Sequence, residues 1–339
     1  MTNRYTQSPA AQAPAMARLA RAALPRWNIH EAEVTLLKLR ENAVFRIDVP
    51  AGPSFAMRIH RHNYHSDGEL LAELQWLQAL GAAGIEAPGI VPAASGRLFE
   101  VVRADPVPEP RQVDLLAWMN GSPMGAFWET SSDDLATLTG NFRLLGRLAA
   151  RVHNQAVAWR PPAGFTRHEW DADGIVGEVP FWGRFWELDA LSPAQRRLLE
   201  RARARVHEEL LSLGKSPSTY SMIHADLVPE NILVDGDSIR LIDFDDAGFG
   251  WHHFEIATAL ISHLGRPDFD RVRDALIAGY REHRSFPDAA IERLPLFFLA
   301  RSFTYLSWVH TRFETELAQQ LTPSFVETSC SLADAYLSG

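Results

Sequence analysis

His224-Ala-Asp226-Leu-Val-Pro-Glu-Asn231-Ile-Leu-Val234, followed by Leu241-Ile-Asp243-Phe-Asp245-Asp246, places three acidic or amide side chains in a fixed order. Between Asn231 and Asp243 lie two short apolar runs, Ile232-Leu-Val234 and Ile239-Arg-Leu-Ile242, joined by Asp235-Gly-Asp-Ser238. Two such runs around an Asp/Gly-rich tetrapeptide predict a tight antiparallel hairpin. Asn231 and Asp243 are equidistant from Asp237, so a hairpin centred there sets them opposite each other. Opposed Cα atoms of an antiparallel pair lie roughly 4.5–5.5 Å apart. At that separation an amide oxygen and a carboxylate share one Mg²⁺. Asp226, one loop earlier, is left to meet a substrate hydroxyl.

The order His-x-Asp, then Asn five residues after that Asp, then Asp-Phe-acidic resembles the catalytic core of the protein-kinase-like fold. The longer string Ile242-Asp-Phe-Asp-Asp-Ala-Gly-Phe-Gly-Trp251 looks less like eukaryotic protein kinases than like the aminoglycoside phosphotransferase and choline kinase superfamily. Within it the chain resembles homoserine kinase type II and the stress-response kinase A group. The resemblance implies an α+β, bilobal protein-kinase-like fold: a small antiparallel-sheet N-lobe with one helix, and a larger, mainly helical C-lobe. It also implies transfer of the γ-phosphoryl group of ATP (or GTP), with Mg²⁺, to a hydroxyl. A turn–hairpin with surface acids would reproduce one half of the pattern, not both halves in order.

Bulk properties agree with such an enzyme. A chain of 339 residues has room for two domains or one bilobal unit. Its net charge of −9 argues against a general nucleic-acid binder, which carries a basic stripe. Cys330 is the single cysteine, so no intrachain disulfide forms and secretion gains no support. Residues 1–15, rich in Ala, Pro and Gln without an apolar signal core, read as a disordered tail. The most apolar stretch, Leu294–Ala300, is too short to span a bilayer, so the expected address is cytoplasmic with no membrane partner.

Three segments follow: 1–24, a flexible tail and lead-in; 25–120, a nucleotide-binding N-lobe; 121–339, a C-lobe with the catalytic loop. Val34–Leu39, Val44–Val49 and Ser54–Ile59 predict three strands, and Ser66-Asp-Gly-Glu69 opens a helix reaching about Leu80. Residues 88–110 give no clear strand pattern. Val113–Met119 predicts a buried strand ending at Asn120-Gly121, where an interlobe hinge should fall. Helical periods cover 138–152 and 193–213, then 254–264, 268–284, 288–311 and 323–337. His153, in the Arg151-x-His153 signature that the resemblance picks out, reads as a packing residue.

The phosphate-binding end departs from familiar patterns. The turn between the first two strands, Glu41-Asn42-Ala43, has no glycine, and no Gly-x-x-x-x-Gly-Lys loop occurs. The strand-three position holds Arg58 where a lysine is usual, and lysine occurs only at 38 and 215. Arginine keeps the charge and binds phosphate bidentately, with different reach. Glu69 and Glu73 lie one helical turn apart and both reach toward Arg58; the resemblance of Ala72-Glu-Leu-Gln-Trp-Leu77 selects Glu73. The resemblance further implies nucleotide contacts from Asn42, Ala117 and Met119. It assigns Asp226 as the residue that meets the substrate hydroxyl, and Asn231 and Asp243 as Mg²⁺ ligands. His224 orients the loop, Asp245 is placed toward a second ion or a substrate amine, and Asp246 braces the loop.

The acceptor is less legible. Trp251 and His252 follow the acidic loop, and Arg301, Tyr305 and Trp308 share a helix face. Such stripes are most often core; read as functional, Arg301 would bind a substrate carboxylate, as in homoserine. The acids near Asp243 equally suit an amino alcohol or an aminoglycoside. The leading expectation is a kinase for a small-molecule hydroxyl. A protein Ser/Thr kinase and a nucleotide-binding pseudokinase are the alternatives. No Ala-Pro-Glu follows Asp243, which leaves little platform for a peptide.

Overall fold

The computed structural model describes residues 9–40, 42–125 and 134–339. Glu41 of the strand turn and residues 1–8 of the expected tail lie outside them. The chain divides into two compact units: residues 1–121 with 160–166, and residues 122–159 with 167–339.

In the first unit α1 (Pro9–Ala23) precedes β1 (Glu33–Leu39), β2 (Ala43–Asp48), β3 (Ser54–Ile59), α2 (Asp67–Ala82), β4 (Phe99–Val102) and β5 (Arg111–Ala117). The strands pair antiparallel in the order β1-β2-β3-β5-β4. Alternation decides the buried face: Phe45 and Ile47 of β2, Met57 and Ile59 of β3, and Val113 and Leu115 of β5 all point into one core. At the start of α2 the Ser66 hydroxyl accepts from the Glu69 N–H while the Glu69 carboxylate accepts from the Ser66 N–H, a capping box. The expected flexible tail needs correction. Residues 9–23 are helical, and Met16, Leu19, Ala20 and Ala23 are buried in the same core as Phe45 and Leu115. Those four sit at i, i+3, i+4 and i+7, a helical period that outweighs the Ala/Pro/Gln composition.

The second unit runs β6 (Ser122–Pro123), α3 (Leu135–Ala158), β7 (Glu169–Trp170), α4 (Ala172–Val176), α5 (Pro193–Leu213), β8 (Tyr220–Ile223), β9 (Ile232–Asp235), β10 (Ser238–Leu241) and β11 (Gly248–Trp251). The helices α6 (His252–Leu260), α7 (Phe269–Arg281), α8 (Asp288–Ile291), α9 (Leu294–Thr311) and α10 (Glu316–Ser338) complete it. Two small sheets, β10-β9-β6 and β7-β11-β8, carry the acidic loops. The single helix predicted over 288–311 is two, because Pro295 starts α9: it has no N–H to give to a preceding turn. α3 and α7 pack backbone to backbone. A methyl group at Gly146 would overlap the Leu276 carbonyl, and one at Gly279 the Arg143 carbonyl.

Candidate active site

The predicted hairpin forms, but its register differs from the expectation. β9 and β10 pair from Asp235–Ser238 to Ile232–Leu241, so the turn is Gly236-Asp237 and the centre lies between them. Beyond the strand ends Asn231 meets Ile242, whose N–H donates to the Asn231 carbonyl at 3.0 Å. Asn231 and Asp243 are therefore not opposed, and plain strand alternation would send them to opposite faces. Asp243 breaks that alternation: its φ of 67° is left-handed, a conformation that Asp adopts more readily than most side chains. A tight turn, one residue shorter than a centre on Asp237 requires, moved the pairing by one residue.

Asp226 is held on both carboxylate oxygens. Asn231 Nδ2 donates to Oδ2 at 2.8 Å and to the Asp226 carbonyl at 3.0 Å. Arg301 Nη2, from α9, donates to Oδ1 at 2.7 Å. The Asp226 side chain is 22% exposed, whereas Asn231 is buried. Nδ2 of Asn231 is thus spent on Asp226. His224 ties the two acidic loops together: its Nδ1 accepts from the Asp226 N–H at 3.3 Å, and its Nε2 lies 3.0 Å from the Ile242 carbonyl. Nε2 therefore carries the ring proton.

Glu255, at the start of α6, anchors the loop from below. Its carboxylate accepts the N–H of His224 at 2.9 Å and of Ala225 at 2.7 Å, and Ala225 has a left-handed φ of 66°. A left-handed alanine costs about 1–2 kcal/mol, and these two bonds hold it in place. Burial pushes the Glu255 carboxyl above the usual range, against the pull of His224 and of the two N–H groups. The loop at 244–247 is strapped from the other side: Arg167 donates to the Asp245 and Ala247 carbonyls, and Trp170 Nε1 to the Asp246 carbonyl at 2.9 Å. Arg167 and Trp170 were not singled out in the sequence, where nothing near them marks a motif.

In the first unit Arg58 and Glu73 form the predicted pair, Nη1 to Oε1 at 2.7 Å, while Glu69 caps its own helix. A residue missed in the sequence completes it. Arg58 donates through Nε and Nη2 to both oxygens of Asp114 at 3.0 and 2.7 Å, and His60 Nε2 reaches Asp114 at 2.8 Å. Arg58 and Asp114 are direct cross-strand partners on β3 and β5, and both are buried. Burial pushes the Asp114 carboxyl up, but Arg58 and His60 outweigh it and hold it below the usual range. An acid inside the apolar run Val113–Leu116 was the available signal.

Several expected contacts lie elsewhere. Asn42 is buried and its Oδ1 accepts from the Arg61 N–H at 3.3 Å, so its amide braces the turn instead of facing a nucleotide. Ala117 is exposed, but its N–H already donates to the Gly89 carbonyl at 2.7 Å; Met119 is half-buried. Trp251 and His252 are core residues, not a substrate face. The Trp251 Nε1 donates to the Gly214 carbonyl at 3.0 Å. The His252 ring stacks on His153 at 4.1 Å and its Nε2 bonds Ser221 Oγ at 2.9 Å. Burial holds both imidazoles below their usual range, and the packing role expected of His153 is what is seen, with Tyr280 OH at 2.7 Å from its Nδ1. Asp245 is buried on the strapped loop. Arg301 is fully buried, engaged by Asp226 and stacked under Tyr305 at 4.4 Å, so it is not offered to a substrate carboxylate. Beside Tyr305 a cavity of about 310 Å³, lined by residues of α9, α10 and the turn after α6, has hydroxyl and apolar walls and no charged side chain.

A five-stranded sheet with a capped helix, and an Asp226–Asn231 loop pinned to the buried Glu255, fit a phosphotransferase of the protein-kinase-like fold. The chain belongs to the phosphotransferase enzyme family, APH, whose family model matches residues 33–292. It therefore transfers a phosphoryl group to a hydroxyl. The chain is similar to a microcompartment-associated aminopropanol kinase of known structure: TM-score 0.81 and 33% identity over 94% of this chain and 97% of that one. It is also similar to amicoumacin kinase of Bacillus subtilis (strain 168), 25% identical over 86% of this chain and 84% of the relative. A structure of spectinomycin phosphotransferase in complex with ADP and its antibiotic shares the fold at TM-score 0.60 and 13% identity, covering 92% and 95% of the two chains. Among the described residues no helix is long and apolar enough to cross a membrane.

Proposed function

We propose that this chain moves the γ-phosphoryl group of ATP to the hydroxyl of a small, amine-bearing alcohol. The observation that carries the reading is the Asp226 carboxylate: partly exposed, bonded on both oxygens, and set on a loop whose backbone is pinned by Glu255. Held so, it accepts a hydrogen bond from the acceptor hydroxyl and takes its proton late, as suits a loose, charge-rich transition state. The second unit supplies the metal ligands, the Asn231 amide oxygen and the Asp243 carboxylate. These are two hard oxygen donors, the number with which Mg²⁺ is usually held when nucleotide phosphates complete its shell. Bound there, Mg²⁺ would neutralise phosphate charge. Among the described residues no three of His, Cys, Asp and Glu gather into a metal group.

The first unit is assigned the nucleotide, with Arg58, Glu73 and Met119, which follows β5, as the candidate contacts. Arg301, the cation expected to receive a substrate carboxylate, is instead fully buried and bonded to Asp226. An amine-bearing acceptor is supported by the 33% identical relative, an aminopropanol kinase. The test is nucleoside diphosphate release, from ATP and from GTP, across 1-amino-2-propanol, ethanolamine, choline, homoserine, aminoglycosides and a generic protein. Turnover with amino alcohols or aminoglycosides, and none with homoserine or protein, is expected. Preferred turnover of homoserine would overturn the acceptor class, and no turnover with any alcohol would overturn the reading itself.

A further inference from the structure

We propose that Arg301 is a positioning residue for the catalytic carboxylate, fixing the rotamer of Asp226 from a fully buried aromatic seat on α9. The inference rests on Asp226 being the residue that meets the acceptor hydroxyl. Its substance is geometric. The Arg301 side chain has no exposure, yet its Nη2 emerges at 2.7 Å from Asp226 Oδ1. Its guanidinium carbon lies 4.4, 5.4 and 5.5 Å from the ring centres of Tyr305, Trp182 and Phe254. Three rings from α9, α6 and the segment before α5 thus confine the planar group. Stacking of this kind suits a guanidinium and not an ammonium.

Asp226 is the only carboxylate that Arg301 bonds among the described residues, and its Nε and Nη1 make no hydrogen bond there. A buried cation with one carboxylate partner is costly unless that partner stays in place. The guanidinium and the carboxylate therefore hold each other. Burial disfavours the Arg301 charge, while Asp226, with Asp246 a smaller contributor, favours it. Burial raises the Glu255 carboxyl that pins the loop, and Arg301 is the smallest of the influences that oppose this rise.

Asn231 Nδ2 grips the other oxygen, Oδ2. The two donors clamp the carboxylate in opposite senses: one is a neutral amide from the loop itself, the other a cation from a helix 75 residues away in sequence. Removing the amide leaves the carboxylate swinging about Arg301; removing the cation leaves a loop acid with one weak tether. An error of about 1 Å in a reacting group costs on the order of a hundredfold in rate.

The experiment compares Arg301→Ala and Arg301→Lys with wild type, using an acceptor that wild type turns over. Wild-type turnover tests the phosphotransfer reading; only variant-to-wild-type ratios test Arg301. The expected result is a kcat lower by about a hundredfold in Arg301→Ala, with nucleotide KM unchanged. Arg301→Lys should recover little, because an ammonium lacks the fork and the stacking. Methylguanidinium should restore Arg301→Ala turnover with saturation, whereas methylammonium at equal ionic strength should not. In an Asp226→Asn background the Arg301→Ala change should cost little further, since both act through one group. If Arg301→Ala does not fold, Arg301→Lys and its own cycle with Asp226→Asn carry the test. Wild-type kcat in a folded variant, equal loss in both backgrounds, or nucleotide KM rising in step with the loss of kcat would overturn the proposal.

Discussion

Asp226, Asn231 and Asp243 behave as three separate chemical problems. Asp226 needs orientation, and Asn231 supplies half of it. Asp226→Asn should retain nucleotide affinity and lose about 10²–10⁴ in kcat, read by calorimetric titration beside steady-state rates; wild-type rates would sink the assignment. Asp243→Ala should abolish Mg²⁺-dependent nucleotide binding, and superimposable titrations with and without the substitution would count against it. These residues were visible in the sequence because type and order alone mark them. Their geometry was not: whether the turn centre falls on Asp237 or beside it depends on backbone torsions that a string of letters leaves open.

At the scale of elements, the β3–β5 ladder shows what pairing adds. Arg58 and Glu73 were legible as a pair, since a strand cation and a helix acid fit a known layout. Asp114 was not, because its partner lies 56 residues away and is set by register. With Asp114 in place, Arg58 is a strut between two carboxylates as well as a candidate nucleotide anchor. Arg58→Met would leave Asp114 and Glu73 buried without their cation and should cost about 3–5 kcal/mol of stability, measured as a shift of the urea midpoint. A change below about 1 kcal/mol, the range of exposed pairs, would show that the network is slack. α1 makes the complementary point. Its apolar period was present in the sequence, but only its burial in the core under the five-stranded sheet shows the period is used.

The whole molecule carries an acid sensitivity set by its second unit. Burial holds His153 and His252 below their usual range and brings His253 and His263 to about 4 from the usual 6.5. The unfolded chain takes up those protons near 6.5 and the folded one does not. Stability from this source is complete above 6.5 and is lost as pH falls toward 4, at about 1 kcal/mol per pH unit for each histidine. Glu255 acts with the opposite sign, its raised carboxyl favouring the folded state at lower pH, but it is one group against four. Melting temperature should therefore fall steadily from about pH 6.5 to pH 5; a flat calorimetric profile over that range would refute this balance.

The order of acids and amides, the periods of the strands and the long helices, and the family are local properties, so sequence alone determined the reaction class. Non-local contacts decided the rest. Register shifted Asn231 off Asp243, a cross-strand acid took hold of Arg58, and Trp251 and His252 went into the core. Arg301 turned from a prospective substrate ligand into the clamp on Asp226. Each depends on which distant side chain burial brings within 3 Å, and that distance exists only in the folded chain.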